Sequence, residues 1–239
     1  MNGTTPGWIV TGDGSRTLVG EGGEGYKSRH GAVTEARAVY LGGSGAGVRL
    51  AAGAPTRVLE VGFGAGLNFL VTAAAAAAGG ARLDYLALEL APPPTSALAA
   101  LGYADLLAPS PLPPALLAWR ERLGEAVPAG RYVFAHGGVH LELVVGDATT
   151  GAWDGREDRR VHAVYHDAFS PATAPELWTP GFLGRLAARL EPGGALVSFC
   201  VAGAVRRALA GHGLLVERVP GPAGGKRAVL VARRPADGA

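Results

Sequence analysis

From Thr56 onward the apolar positions of the chain fall into two alternating kinds of run. Short stretches of β-branched and aliphatic residues at 57–62, 82–89, 141–147, 160–169 and 194–200 are bounded by glycine, aspartate or charge, as buried strands are. Helix-like stretches lie between them. Gly66–Ala78 is rich in alanine, the strongest helix former, and ends at Gly79-Gly80. Leu112–Leu123 follows Ser110 and a proline cluster, which suits a helix start. Phe182–Leu190 stops before a Pro192-Gly193 turn, and Ala202–Gly211 ends on glycine. Two last apolar runs, Leu214–Val219 and Arg227–Arg233, flank a Pro/Gly-rich turn and predict an antiparallel hairpin. This order predicts an α/β domain over 56–239. Its sheet is mainly parallel and seven-stranded, wound with helices on both faces, with a reversed strand near its end.

Residues 1–55 break the rhythm. A hairpin turning at Gly12-Asp13-Gly14, a short helix over 31–41 and a glycine-rich linker or turn at 42–47 predict a small N-terminal cap packed on the main domain.

Composition narrows the class. At 239 residues, 48% hydrophobic and 18% charged, the chain can bury a large core and is not disordered. No basic-then-apolar leader opens the sequence, and no uncharged apolar run reaches the roughly 18 residues that span a bilayer, so cytoplasm is expected, with no membrane partner. Cys200, the single cysteine, excludes an internal disulfide framework and is expected to be a buried thiol. The net charge of +2 is uneven: 10 basic against 12 acidic residues over 1–150, and 12 against 8 over 151–239. The pairs Arg159-Arg160, Arg206-Arg207, Lys226-Arg227 and Arg233-Arg234 fit phosphate contacts or a solvated surface equally well. His162 and His166 lie four apart on one strand without a third ligand at suitable spacing, so no metal site is expected.

The 57–62 strand runs into Gly62-Phe63-Gly64-Ala65-Gly66. A parallel strand that ends in a glycine turn ahead of a helix lets backbone approach a nucleotide or nucleoside, with helix amides facing it. The spacing is G-x-G-x-G and not the G-x-G-x-x-G of dinucleotide sites. With 38 glycines in the chain such a loop arises easily by chance, so the acids around it carry more weight. Glu60, just before the first glycine, is placed to meet the methionine-end ammonium of S-adenosylmethionine, directly or through water; a nicotinamide cofactor has no cation there. Glu89 ends the second strand, where a carboxylate accepts from both ribose hydroxyls. Asp147, followed by Ala148, ends the third and suits an adenine amino group. Asp167 ends the fourth, at the mouth of the cleft, within the cofactor's reach. Asn68, on the first helical turn, is placed to reach the cofactor carboxylate. A lone acid commonly caps a helix or faces solvent. Four at successive strand ends point to the cofactor cradle of a Rossmann-like class I S-adenosylmethionine-dependent methyltransferase.

Three stretches carry a closer likeness: FGAGLNF (63–69), the segment 167–213 beginning DAFSPATAPELWTPGF, and GPAGGKRAVL (221–230). Together with DGSRTL (13–18) and YKSRHGAVTEARAVYL (26–41), they make the sequence resemble the methyltransferase domain of the bifunctional tRNA 5-methylaminomethyl-2-thiouridine biosynthesis proteins. The resemblance implies N-methylation of a 5-aminomethyl group on the wobble uridine, thiolated or not, with the tRNA anticodon region as partner. The bifunctional proteins add a flavin-dependent oxidase; no second glycine fingerprint precedes Ala239, so the likeness is to a stand-alone form, with a separate enzyme supplying the free amine. The proline-rich stretch 91–114 departs from the family's pattern.

That chemistry needs an amine stripped of its proton and held in line with the methyl group. Asp167 is expected to hold the aminium, orient the lone pair and stabilise charge growing on nitrogen. Phe169 is expected at the catalytic site, walling the methyl-transfer cleft or stacking on the uracil, although a core aromatic fits equally well, and Trp178 packs under the loop. Tyr26, His30 and Glu35, in the N-terminal segment of the resemblance, are expected to close over the substrate, although Glu35 equally fits an exposed helix face. Lys226 and Arg227, in the last hairpin turn, are candidate phosphate contacts. Three other readings stay open: methylation of an amine in a small molecule or protein, a dinucleotide oxidoreductase disfavoured by the glycine spacing and Glu60, and a non-catalytic methyltransferase-like module that binds RNA or a partner.

Overall fold

The computed structural model describes residues 7–20, 22–151, 153 and 160–237. Arg159 of the first basic pair lies outside the described residues. At the N-terminus β1 (Trp8–Val10) and β2 (Arg16–Leu18) form the expected hairpin. Helix α1 (Ala32–Glu35) continues without a break as a π-helical stretch, Ala36–Gly42. The wide turn is visible in the bond from Gly43 N to Ala38 O, 3.1 Å. Residues 42–47 are therefore not a plain linker: they close this helix and open α2 (Ala46–Ala51).

The remaining elements are β3 (Thr56–Val61), α3 (Leu67–Ala78), β4 (Leu83–Glu89), α4 (Thr95–Ala100), α5 (Tyr103–Leu106), α6 (Leu112–Arg122), β5 (Gly130–His136), β6 (Val139–Val145), β7 (Val161–His166), α7 (Pro180–Ala188), β8 (Leu190–Ser198), α8 (Gly203–Gly211), β9 (Leu215–Pro220) and β10 (Ala228–Arg233). They build an eight-stranded sheet in the order β5-β6-β4-β3-β7-β8-β10-β9. The five strands from β6 to β8 are parallel, and β5 and β10 run against them.

Eight strands, not seven, is a correction, and β5 is the strand that was missed. It lies at the sheet edge with Phe134 turned into the core beside Leu141 and Val133 exposed, so its apolar signal is thin. The proline-rich stretch 91–114 folds into α4, α5 and the start of α6, with Pro113 and Pro114 in the first helical turn, where a missing amide hydrogen costs nothing. Helix α7 begins two residues earlier than the apolar run predicts, because Thr179 Oγ1 caps Phe182 N at 3.3 Å.

Both faces of the sheet are covered, which is why its inner strands read as unbroken apolar runs. Val58 and Tyr85 pack on one side with Phe69 and Leu67 of α3. Leu59 and Leu88 pack on the other with Phe182, Leu183 and Leu186 of α7. Cys200 is a buried free thiol. Among the described residues no helix is long and apolar enough to cross a membrane.

The N-terminal helices lie across α3. At the crossing, Gly79 comes so close to α2 that a Cβ there would sit 2.0 Å from Leu50 O, a backbone atom with no room to move. Gly79→Ala should destabilise the protein by about 1–3 kcal/mol, the usual cost of overpacking. Gly211→Ala meets nothing within 4 Å and should be close to neutral. Urea denaturation of both variants checks the pair; equal stabilities would mean that this crossing does not hold the N-terminal helices in place.

Candidate active site

A cleft of about 410 Å³ opens at the carboxyl ends of the parallel strands, beside the point where chain order reverses between β3 and β7. Its walls come from the loops after β3, β4, β6 and β7, from residues 24–28 on the N-terminal side, and from Phe199 and Lys226.

The glycine loop forms one wall. Gly62 (φ 87°) and Gly64 (φ 52°) both hold left-handed backbone, and a Cβ at Gly62 would lie 2.6 Å from Asp167 O. Gly66 (φ 78°) is set back from the cleft as the N-cap of α3. Glu89 lines the cleft and braces this loop: Oε2 accepts from Gly64 N at 2.7 Å and Oε1 from Ala91 N at 3.0 Å. Burial raises its pKa in spite of these donors. Asp147 and Ala148 also line the cleft. Asp147 is exposed, and its Oδ1 accepts from Thr149 Oγ1 (2.7 Å) and Thr149 N (2.8 Å), which holds its pKa down.

At the opposite end Asp167 sits in a closed set of partners. Tyr40 donates to its Oδ1, while Lys27 Nζ and Asn68 Nδ2 (2.8 Å) donate to its Oδ2. Lys27 Nζ also donates to Asn68 Oδ1 at 2.8 Å and lies 4.3 Å from the centre of the Tyr40 ring. The Asp167 side chain is 4% exposed, so little lone-pair capacity is left for an incoming group.

Glu60 and Asn68 depart from expectation. Both are 1% exposed and neither lines the cleft. Glu60 accepts from Asn68 Nδ2 (2.7 Å) and Tyr85 OH (2.9 Å) beneath the floor, so its link to the cleft runs through Asn68 to Lys27 and Asp167. Side chains alternate along β3, so Val61 lines the cleft while Glu60, one residue earlier, points with Val58 to the face covered by α3. Glu35 is buried and lines the cleft, which excludes the alternative of an exposed helix face, with Oε1 4.0 Å from Lys27 Nζ. Burial lifts its pKa to about 7 against the opposing pull of Lys27.

Tyr26 and Phe169 line the cleft as an edge-to-face pair, ring centres 5.3 Å apart. Trp178 packs under that loop and donates Nε1–H to Phe169 O at 2.8 Å. Glu24 ties the same loop to the N-terminal side, accepting from Ser170 N at 2.9 Å and Thr173 Oγ1 at 2.5 Å. Lys226 lines the cleft with Nζ 4.0 Å from the Phe199 ring centre. His30 and Arg227 are exposed and outside the cleft wall. His166 is wholly buried against Trp178 (4.2 Å), which pushes its pKa down to about 3 and keeps the imidazole neutral. Among the described residues no group of three side chains is placed to hold a metal ion. Lys27, Tyr40, Glu24 and Phe199 escaped the reading of the sequence. Lys27 and Tyr40 fall inside the 26–41 stretch of the family likeness, which was the available signal.

The parallel sheet, glycine loop and strand-end acids define the class of an S-adenosylmethionine-dependent methyltransferase. Residues 117–235, about half the chain, match the family described as S-adenosyl-L-methionine-dependent methyltransferase, and the chain belongs to it. More particularly, it is 38% identical over 219 residues to the tRNA 5-methylaminomethyl-2-thiouridine biosynthesis bifunctional protein MnmC of Pseudomonas aeruginosa (strain UCBPP-PA14), covering 87% of this chain and 32% of that protein. The protein of the same name from Ralstonia nicotianae is 37% identical over 220 residues, 88% of this chain and 32% of its own length. The chain thus spans about a third of these relatives. A crystal structure of MNMC2 from Aquifex aeolicus superposes with a TM-score of 0.75 at 28% identity, covering 98% of this chain and 73% of that one.

Burial raises the Glu60 pKa from 4.5 to about 8, with Asp167 adding to the rise and Lys27 opposing it. Between those values the folded state holds a proton that the unfolded state has lost, so this group's contribution to stability falls as pH rises through the window. Glu60→Gln keeps an acceptor for Asn68 and removes the titration. From about pH 5 to about pH 8.5 the native protein should lose more stability than the variant, by on the order of a few kcal/mol. Urea unfolding at the two pH values measures this; parallel losses would show that Glu60 is not the titrating group.

Proposed function

We propose that this chain transfers a methyl group from S-adenosylmethionine to the amine of a 5-aminomethyl group on uridine or 2-thiouridine at the wobble position of tRNA. The observation that carries the reading is a cleft with two unlike ends. One end offers Asp147, Glu89 and the glycine loop on the adjacent strands β6, β4 and β3; the other offers Asp167 after β7, with Lys27 and Glu35, beside the Tyr26–Phe169 ring pair. The first suits a nucleoside cofactor, and the second suits a cationic amine carried on a flat base. The relatives' names supply the substrate class: they concern biosynthesis of 5-methylaminomethyl-2-thiouridine in tRNA.

The residues present fit the cofactor. Gly62 and Gly64 leave backbone bare where any Cβ would meet Asp167 O or the Tyr26 ring, and Glu89 presents a carboxylate to ribose hydroxyls. Asp147 and Ala148 form the edge for the adenine. When bound, S-adenosylmethionine supplies an electrophilic methyl group on a sulfonium. The chain's task is to place a neutral amine in line with it and exclude water. Asp167, paired through Lys27 and Tyr40, fixes a negative potential where nitrogen gains positive charge. Phe169 and Tyr26 wall the base, while Lys226 meets the phosphate backbone at the rim, with Arg227 following the same chain farther out. Residues 1–55 act as a cap on 56–239 and carry Tyr26, Lys27 and Glu35 into the cleft. The setting is cytoplasmic, and a preceding enzyme leaves the amine free.

Incubation of aminomethyl-uridine tRNA with protein and S-adenosylmethionine should yield methylaminomethyl-uridine by nucleoside mass spectrometry. Unmodified product would remove the reading. Asp167→Asn should lower single-turnover methylation by about 10²–10³-fold with cofactor affinity retained, and should lower the melting temperature as well, because it leaves the buried Lys27 ammonium unpaired. Near-normal rates would reduce Asp167 to a structural link, and lost affinity would place it in the cofactor site. Gly64→Val, strained by about 1–2 kcal/mol at positive φ, should stay folded and show no calorimetric binding of S-adenosylmethionine. Micromolar binding by that variant would move the cofactor elsewhere.

A further inference from the structure

We infer that Glu35 is the proton acceptor for the substrate amine, an inference that rests on the methyl-transfer reading above. An aliphatic amine arrives mostly as ammonium, and some group in the cleft must take its proton before nitrogen has a lone pair to offer. The acids on this side of the cleft can be compared one by one. Asp167 has Tyr40 on one oxygen and Lys27 and Asn68 on the other. Glu60 is sealed under the floor by Asn68 and Tyr85. Both oxygens of Glu24 are committed to Ser170 and Thr173. Glu176 stands on the exposed rim, where solvent screens it. Glu35 alone combines burial with a free oxygen: Oε1 faces Ser28 N (3.4 Å) and Lys27 Nζ (4.0 Å), and Oε2 accepts no hydrogen bond among the described residues.

The charges around Glu35 suit an acceptor that must also let its proton go. Lys27 from the 24–28 loop and Lys226 from the β9–β10 turn favour its ionised form. Asp167 from the end of β7 disfavours it, and Tyr40 lies nearby on the same helix as a neutral hydroxyl donor to Asp167. Burial sets the balance close to neutrality, so the carboxylate is available at physiological pH and binds a proton readily. The step is proton transfer alone: the N–H bond breaks, its electron pair stays on nitrogen as the lone pair, and an O–H bond forms at Glu35 Oε2. The proton passes on to solvent when the product leaves. Asp167 is then free to serve as fixed charge throughout.

The test is single-turnover methylation of aminomethyl-uridine tRNA by native protein, Glu35→Gln and Glu35→Asp across roughly pH 6 to pH 9, with cofactor affinity and melting temperature measured for each. The Gln variant should fall about 10²-fold near neutral pH and recover as pH rises, because free amine then forms without help. Its cofactor affinity should be unchanged, and the Asp variant should keep more turnover than the Gln variant. Infrared difference spectra of the protein alone should show a carboxyl band titrating near neutrality that Glu35→Gln lacks. A Gln variant that is as fast as the native protein, or slowed equally at every pH, overturns the assignment while leaving methyl transfer in place. A native protein that methylates no such tRNA overturns the functional reading, and the assignment falls with it.

Discussion

The contact on which the site depends is the Asp167 carboxylate with Lys27, Tyr40 and Asn68. Each partner comes from a different part of the chain: the loop after β2, the π-helical stretch and the first turn of α3. A carboxylate and an ammonium taken out of water together are tolerable only when each finds a partner and the remaining lone pairs are met. Asp167 and Lys27 satisfy that condition mutually, with side chains 4% and 8% exposed. The N-terminal segment is thereby fixed over the end of β7, and the cleft acquires its far wall. Removing either charge would strand the other in a medium that cannot solvate it.

Beneath that contact the acids form a graded series set by burial. Asp147 is open to water and hydrogen-bonded, and its pKa is lowered. Glu35 is held near neutrality and Glu60 above it, both chiefly by desolvation. The cleft can therefore carry one carboxylate that stays ionised and one that exchanges protons, above a third carboxyl group that holds the floor from below. Topology places only the first of them: β6, β4, β3 and β7 are neighbours and their following loops meet at the opening, whereas Glu35 arrives on the N-terminal helix and Glu60 stays beneath the floor.

The fold was largely legible because its signals are local. Alternation of apolar runs with helix-forming stretches, closed by Gly79, Pro192 and Gly211, marks strands and helices through backbone preference alone. The strand β5 escaped because an edge strand buries one face: Phe134 and, in part, Tyr132 turn inward between exposed Arg131, Val133 and Ala135. The π-helical turn escaped because Ala36–Gly42 reads like any helix, with Val39 and Tyr40 buried as apolar helix positions commonly are.

At the site, the sequence by itself determined which residues end the strands, and so which acids and glycines meet at one opening. Gly62, Gly64, Glu89, Asp147, Asp167 and Phe169 all line the cleft for that reason. Tertiary structure decided what each side chain does there. Glu60 turned inward because a strand alternates its faces, while Glu35 came into the cleft because the helix carrying it packs face-down on α3 and the sheet. Lys27 and Asp167, 140 positions apart, became an ion pair only once the N-terminal segment folded over β7. No local pattern encodes such a meeting, since the energy that favours it arises from desolvation and pairing in the assembled core.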